Sequence, residues 1–458
     1  MLSALILVFG STISQAKTVN EKILDILLES KIVTQEKFQV LKKQVEEEEA
    51  EVAKLKAAAE KKPTEGARVN FQRGFSVESA DGENKLNVSG RLHADYRYYL
   101  NNIPNTDSFL IRRARLNMNG TLYKYYNFNI DADFGQGTTT LYEASLTFNY
   151  VPYAQVTFGQ FKVPFDMEYL TNVNNMAFVE NSLADNFAPG YDQGLMIQGN
   201  ISNDLLYYQL GVFNGRKTNV SSDVDDQKDI AGRITLAPFS KLENPIIKGL
   251  HIGGAFTTGI QNTTKPSTDW WKNAFKTPGQ TTFFQFDDTI TQGGSRSRVG
   301  AELAWLVGPV SLKSEYMSLQ LNNLTKGKTT GSFSGNAGYA SLGWFITGEN
   351  EPWKNGLPGA ITPKNPFVFG KGGTGAFQVL ARYDWLEMDK GLLDQGFVDS
   401  TKYTNKASGY SLGLTWYPND MVRLMVNYYH TDFGQKIDVS GVKMNSEDAI
   451  FTRFQIVW

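Results

Sequence analysis

Three arginines stand in one short stretch, "SFLIRRARLNMNG" at residues 108–120, and no acidic residue lies among them. Guanidinium groups stay charged in proteins, so they attract anions wherever water reaches them. Arg113 and Arg115 share one parity with two asparagines, whereas leucine and methionine share the other, which predicts a strand with one wet and one apolar face. Arg112 has the apolar parity. If the apolar face contacts lipid, an arginine at the bilayer midplane would cost about 2–4 kcal/mol. We therefore expect Arg112 to lie above the apolar band, the part of the strand that contacts lipid, or at a β-bulge.

The elements that must position these arginines are alternating strands, which recur from about residue 70 to the C-terminus. "NFNIDADF" at 127–134 and "YEASLTFNY" at 142–150 each place apolar residues on one face and polar residues on the other. A soluble β-sandwich would have to bury those charges, whereas a closed barrel in lipid lines water with them and leaves no unpaired edge. The last strand, "IFTRFQIVW", ends on Trp458, which resembles the insertion signal of outer-membrane barrels.

The N-terminus has a different character. "MLSALILVFGSTISQA" predicts a secretory signal peptide over residues 1–16. Residues 17–62 then follow a helical period whose thin apolar stripe predicts a marginal coiled coil, stable only on self-association. The stripe consists of Phe38, Leu41, Val45, Val52, Leu55 and Ala59. We predict a linker over 63–84 and the barrel over 85–458.

Composition excludes several classes of function. The 45 basic and 47 acidic residues give a net charge of −2, which does not favour a nucleic-acid partner. The chain has no cysteine, hence no thiolate metal site or cysteine nucleophile. The histidines, His93, His251 and His430, lack metal-ligand spacing, and no obvious serine stands beside His430 to suggest a lipase. We therefore predict no enzymatic activity, no metal and no cofactor.

Five motifs in order resemble successive strands of the phosphate-selective porin O and P family, and the similarity covers most of residues 70–458. They are "GRLHADY" (90–96), "IRRARLNMNGTLY" (111–123), "EASLTF" (143–148), "TFGQFKVPF" (157–165) and "FITGE" (345–349). The resemblance implies an all-β fold, a 16-stranded antiparallel transmembrane β-barrel with an N-terminal helical, coiled-coil periplasmic extension. It also implies homotrimers in which each subunit encloses its own pore.

One loop departs from the family pattern. In phosphate-specific members, a lysine and an arginine from an inward-folded third loop meet phosphate, but residues 165–190 of this chain contain neither residue type. Tyr169 and Asn181 stand at those two positions, and the long loop at 261–295 offers only three lysines, Lys265, Lys272 and Lys276. The predicted constriction residues are Asp166, Glu168, Tyr169, Glu180, Asn181 and Asp185. A phosphate trap is therefore not expected.

Strand parity selects the predicted pore lining. The basic side chains are Arg91, Arg97, Arg113, Arg115, Arg296, Arg298, Lys313 and Arg382, to which the alignment with the family adds Arg112. The acidic ones include Asp95, Asp131 and Asp133. If the acidic loop faces this mildly basic wall across water, the two create a transverse field that orients polar solutes without binding them tightly.

These features predict an outer-membrane porin of a Gram-negative bacterium, with its N-terminal segment in the periplasm. It would form a water-filled, weakly selective channel for passive diffusion of small hydrophilic solutes and ions. One alternative is an anion- or phosphate-selective porin. Another is a structural tether in which residues 17–62 hold the outer membrane to the cell wall. The expected partners are outer-membrane lipid, two further copies of the chain and, for the tether, peptidoglycan.

Overall fold

The computed structural model divides the chain into two compact units, Met1–Gly66 and Ala67–Trp458. The structure describes residues 34–45, 47, 66–71, 74–100, 104–202, 204–216, 218, 220, 223, 225–262 and 272–458. The predicted signal peptide, Lys265 and the part of the coiled-coil stripe beyond Val45 lie outside the described residues.

In the first unit, residues 35–45 form a helix. Thr34 stands directly before it, and its Oγ1 accepts a hydrogen bond from the Lys37 N–H at 3.5 Å, as an N-cap side chain does. Among the described residues, no helix is both long and apolar enough to cross a membrane.

The second unit is a closed antiparallel barrel of sixteen strands, which confirms the predicted fold class. The strands are β1 Lys85–Tyr99, β2 Ser108–Leu122, β3 Tyr126–Asp133, β4 Thr140–Phe148, β5 Gln155–Lys162, β6 Tyr191–Ile201, β7 Leu206–Phe213, β8 Asp229–Leu236, β9 Leu250–Ile260, β10 Ser295–Val307, β11 Val310–Lys326, β12 Thr329–Phe345, β13 Ala376–Met388, β14 Lys406–Tyr417, β15 Val422–Val439 and β16 Val442–Val457. Each strand pairs with its neighbours in sequence, and β16 closes the barrel on β1.

The C-terminal residue completes this closure. Gly90 and Trp458 exchange two backbone hydrogen bonds at 2.9 and 3.0 Å. The indole ring lies directly over Gly90, where a Cβ atom would stand 2.3 Å from the ring. The terminal tryptophan is therefore seated in a gap that a residue with a side chain would fill.

The period-2 pattern places charges inside and apolar side chains outside. Arg115 is only 5% exposed within the barrel, whereas Phe158 on the outer surface is 62% exposed. The pairing of β1 with β2 shifts register at one point, because His93 pairs with Arg113 and the next residue pairs with Ile111. Arg112 is the extra residue of this β-bulge, which is one of the two positions predicted for it, and the bulge turns its side chain inward.

Part of the predicted linker over 63–84 is instead strand. Arg68–Asn70 pairs with Phe75–Glu78, and the latter pairs with the start of β1 through contacts such as Ser76 with Asn87. The reason lies in the lengths of the barrel strands, since β16 pairs with β1 only from Arg91 onward. The short strand covers the edge of β1 that β16 leaves free.

Among the connections that fold into the barrel, two enter from opposite ends. The constriction loop, residues 163–190 between β5 and β6, contains a helical turn at Met167–Leu170 and a 3-10 helix at Leu183–Phe187. The inward segment, residues 346–375 between β12 and β13, stands at the end where most other connections are short. An apolar cluster that includes Phe165, Leu183 and Phe187 packs the constriction loop onto the inner wall.

Candidate functional site

The constriction loop is held by side chains that point inward from the barrel wall. At its start, Glu315 on β11 accepts hydrogen bonds from the backbone N–H groups of Met167 at 2.6 Å and Glu168 at 2.9 Å. Arg382 on β13 donates to the Glu168 carboxylate at 2.9 Å. The sequence supplies these anchors because alternate strand residues face the lumen, and each satisfies loop groups that are buried away from water.

The middle of the loop is held in the same way by β15 and β16. Arg423 donates to the backbone oxygens of Asn174 at 2.5 Å and Met176 at 2.9 Å. Arg453 donates to the Val179 oxygen at 2.9 Å, while the Asn427 side chain accepts from the Val179 N–H at 2.7 Å. Because its backbone groups are bonded to rigid strands at several points, the loop is a fixed part of the lumen.

Glu180 forms the most highly charged anchor. Its Oε1 lies 2.9 Å from Arg97 on β1 and 2.9 Å from Arg112 on β2, and 3.9 Å from Arg453. Burial alone would raise the pKa of Glu180, but the arginines, led by Arg112, hold it well below its ordinary value. The carboxylate therefore stays ionised and joins three strands to the loop.

The carboxylates of the loop therefore have direct partners at short distance. The expectation that they face the basic wall across open water was wrong. Glu180 and Glu168 are both in direct ion pairs with wall arginines. Asp185 accepts from the Asn181 side chain at 2.7 Å and lies 4.0 Å from Lys272. Asp166 caps the Tyr169 N–H at 3.0 Å, and its burial, with Glu315 nearby, raises its pKa. The difference arises because inward arginine side chains are long enough to reach the loop.

Two chambers lie on the other side of the loop, beside β1 to β6. The loop-side chamber, of about 390 Å³, is lined by Arg112, Arg113 and residues of the constriction loop. The turn-side chamber, of about 540 Å³, is lined by Arg91, Asp131 and several asparagines. Four residues line both chambers and so lie where the two chambers adjoin: Arg115, Lys162, Val173 and Tyr191. We call this group of four residues, and the place where they stand, the eyelet.

The eyelet cations are fixed by their neighbours. The Arg115 Nε lies 2.8 Å from Asp133, and its guanidinium group stacks 3.9 Å from the centre of the Tyr142 ring. The Lys162 ammonium donates to the backbone oxygens of Tyr169 at 2.6 Å and Thr171 at 3.0 Å. Two positive groups thus stand at the eyelet in defined positions. The Arg115 guanidinium is bound to a residue of the wall, and the Lys162 ammonium is bound to the constriction loop.

The structure separates the predicted lining residues into three groups. Those beside the chambers are Arg91, Arg112, Arg113, Arg115 and Asp131, with Asp133 bonded to Arg115. Those that contact the constriction loop or its anchors are Arg97, Arg382 and Asp95, the last bonded to Arg453. Those on the opposite wall are Arg296, Arg298 and Lys313, which contact Asp229, Thr257 and Glu351, respectively.

Sequence reasoning missed four residues at or beside the eyelet, namely Val173 of the constriction loop, Lys162, Tyr142 and Tyr191. Lys162 has inward parity at the end of β5, directly before the constriction loop, so its position was a usable signal. Tyr142 had no such signal, because the register of β3 and β4 shifts beside it and brings its ring over Arg115. Tyr191 is the first residue of β6. At the end of a strand, the alternation of polar and apolar residues does not show which way a side chain points.

A closed 16-stranded barrel with a charged lumen narrowed by an inward loop defines the class of outer-membrane porins, which are channels. The chain belongs to the phosphate-selective porin O and P family, whose model matches residues 86–458. Porin O of Pseudomonas aeruginosa is 26% identical over 431 residues, covering 86% of this chain and 94% of that protein. An uncharacterized protein of Caulobacter vibrioides is 25% identical and covers 70% of this chain and 62% of that protein.

The fold itself is also found in a solved structure. The outer membrane channel DcaP of Acinetobacter baumannii superimposes with a TM-score of 0.50 at 11% identity, covering 82% of this chain and 98% of that chain. At this identity the likeness concerns the fold alone. The family match confirms the resemblance read from the five motifs.

Proposed function

We propose that this protein is a passive diffusion channel for small hydrophilic solutes and ions, with a weak preference for anions. The eyelet carries the proposal, since two of its four lining residues, Arg115 and Lys162, are cationic and the other two are uncharged. Anions would be concentrated at this passage and cations repelled.

The charge of the whole path supports a weak preference rather than a strong one. Among the described residues, seven basic side chains line the two chambers against five acidic ones. The basic ones are Arg91, Arg112, Arg113, Arg115, Lys162, Lys272 and Lys276, and the acidic ones are Asp131, Glu143, Glu168, Glu180 and Asp185. The small positive excess favours anions while leaving cations able to pass.

A phosphate-selective channel is the second candidate, and it is favoured by the family match. The contacts at the eyelet argue against tight binding, because the Lys162 ammonium already donates to three backbone oxygens of the constriction loop. Tyr169 and Asn181 offer no cation where phosphate-specific members of the family have one. We expect phosphate to pass without blocking the channel.

Single-channel recording in planar bilayers tests the charge preference. Replacing Arg113 and Arg115 with alanine removes two positive charges beside the path, and one unit charge at 4 Å in water is worth about 1 kcal/mol. The ratio of anion to cation permeability should therefore fall by about fivefold or more. The reversal potential in a salt gradient measures it, and the effect should shrink at high ionic strength.

Lys406→Ala provides the control, because Lys406 pairs with Glu387 in an exposed position away from the two chambers. An unchanged reversal potential in the double variant would contradict the proposed role of the arginines. Phosphate titration of the wild-type chloride current separates the two candidates. Block at micromolar phosphate would establish a phosphate site and overturn the general-channel proposal.

We also propose that residues 17–62 are periplasmic and assemble three copies of the chain. The apolar stripe of that segment and the family pattern support the proposal. The alternative is a tether to peptidoglycan. Deletion of residues 17–62 discriminates between them, because loss of trimers with retained conductance favours assembly, whereas loss of cell-wall attachment with intact trimers favours a tether.

A further inference from the structure

Two turn segments expose apolar side chains at the turn side of the barrel, the end where most connections between strands are short. They are residues 237–249, between β8 and β9, and residues 366–374, near the end of the inward segment. Their exposed apolar side chains, which we call the rim patch, are Phe239, Leu242, Ile246, Ile247, Val368 and Phe369. Ile246 is 51% exposed and Phe369 is 91% exposed. Exposed apolar patches mark sites that contact another protein or a membrane.

Each segment is tied to a tryptophan on the outer face of the barrel wall. The Trp305 indole on β10 donates to the Ile246 backbone oxygen at 2.6 Å. The Trp416 indole on β14 donates to the Thr374 oxygen at 2.9 Å, and its ring lies 5.4 Å from the ring of Phe367. Outward tryptophans at strand ends are typical of the level where hydrocarbon meets headgroups. The rim patch is therefore continuous with the face of the barrel that contacts lipid.

The wall between the two segments is apolar as well. Val310 on β11 pairs with Trp344 on β12, and both side chains are exposed on the outer face. Ile346, at the start of the inward segment, is exposed beside them. An occupant of the rim patch must therefore cover two separate segments and the wall that lies between them. A fluid lipid layer does so without a matching shape, which a folded partner would need.

A tight turn fixes the position of Phe369. Val368 and Gly372 exchange backbone hydrogen bonds at 2.8 and 3.1 Å across the turn. Gly373 follows with a φ of 91°, and a Cβ atom there would stand 2.0 Å from the Pro366 oxygen, so the turn requires glycine at this point. The turn holds the Phe369 ring at its tip, where the ring can enter an apolar layer. Removal of such a ring from water is favourable.

The charges beside the rim patch indicate the headgroup. The two segments contain three lysines, Lys241, Lys248 and Lys371, against one acid, Glu243, and all four side chains are exposed. Lysines at a membrane surface attract anionic headgroups, and each one changes the affinity by about fivefold. An anionic phospholipid therefore complements both the apolar side chains and the charge of the two segments.

We propose that the rim patch docks the barrel on anionic phospholipid of the leaflet at its turn side. Ile246 and Phe369 insert below the headgroups, and the three lysines lie beside the phosphates. This surface sets the depth at which the barrel rests in the bilayer. It goes beyond the proposed channel function, because it assigns a class of lipid to a surface outside the lumen.

Electron paramagnetic resonance on the full chain tests where the rim patch lies. The chain has no cysteine, so the single variants I246C and F369C each carry one nitroxide label without background labelling. In vesicles of equal parts phosphatidylethanolamine and phosphatidylglycerol, both labels should be more accessible to oxygen than to a water-soluble nickel chelate, because oxygen concentrates in hydrocarbon. V426C on the outer wall is the positive control, and K436C at the loop-side end of β15 should show the reverse.

A triple variant tests the headgroup without altering the apolar side chains. K241Q/K248Q/K371Q removes the three positive charges, and native mass spectrometry measures how much phosphatidylglycerol stays bound to the solubilised protein. Retention should fall by about fivefold or more. The matched variant K328Q/K436Q/K443Q removes three exposed positive charges at the loop side and should retain this lipid like the wild type.

Labels at I246C and F369C that favour the nickel chelate would place the rim patch in water and overturn the proposal. Spectral broadening that disappears when labelled chains are diluted with unlabelled ones would show that a second copy covers the patch, which would also overturn it. Unchanged retention by K241Q/K248Q/K371Q would overturn the preference for anionic headgroups. These measurements require no conduction, so their result is independent of the ion selectivity measured in bilayers.

Discussion

Glu180 illustrates how a single residue fixes the lumen. Its carboxylate joins Arg97 and Arg112 from two wall strands, and removing one partner of a buried ion pair typically costs about 3–5 kcal/mol. Glu180→Gln keeps the shape and removes the charge, so it should lower the unfolding temperature and increase current noise. Thermal unfolding in detergent and single-channel recording measure the two effects, with Glu387→Gln, an exposed residue paired with Lys406, as the matched control.

The same residue predicts a pH dependence. Because the folded-state pKa of Glu180 is lowered, its contribution to stability is fully present above the ordinary glutamate value of about 4.3 and is lost as pH falls through the folded-state pKa. The wild-type conductance should therefore show no transition from Glu180 between neutral pH and about pH 5. A titration of conductance at a midpoint near pH 6 that disappears in Glu180→Gln would contradict this assignment.

At the scale of elements, the constriction loop is held in position by its wall anchors more than by its own short helices. Glu315 satisfies two backbone N–H groups at the first helical turn, which would otherwise be buried without acceptors. Glu315→Ala should therefore free the start of the loop and produce more frequent current fluctuations at unchanged ion selectivity. Single-channel recording measures this, and Glu387→Ala should behave like the wild type. A quiet Glu315→Ala channel would show that the other anchors suffice.

At the scale of the whole molecule, the sequence could predict the barrel but not its interior contacts. Strand parity alone places Arg113 and Arg115 inside, and the cost of arginine in lipid predicts that Arg112 lies either above the apolar band or at a bulge. The sequence could not identify Glu180 as the partner of Arg112, because the two residues are 68 positions apart and meet only through the path that the folded loop takes. The backbone contacts of Lys162 with Tyr169 and Thr171 were not foreseen either, although these residues are only 7 and 9 positions away, because they too depend on the path of the folded loop. The contacts of a loop with the wall depend on packing, which local periodicity does not encode.

Assembly into trimers through residues 17–62 is the prediction that concerns the molecule as a whole. The thin apolar stripe over residues 17–62 cannot be buried within a single helix, so self-association is the natural way to remove it from water. We expect the detergent-solubilised protein to migrate as a trimer that dissociates on heating, and deletion of residues 17–62 to lower the dissociation temperature. Electrophoresis without prior boiling and native mass measurement test this together. A particle with the mass of a single chain before heating would show that the stripe serves another partner, and the tether would then become the better account of the N-terminal segment.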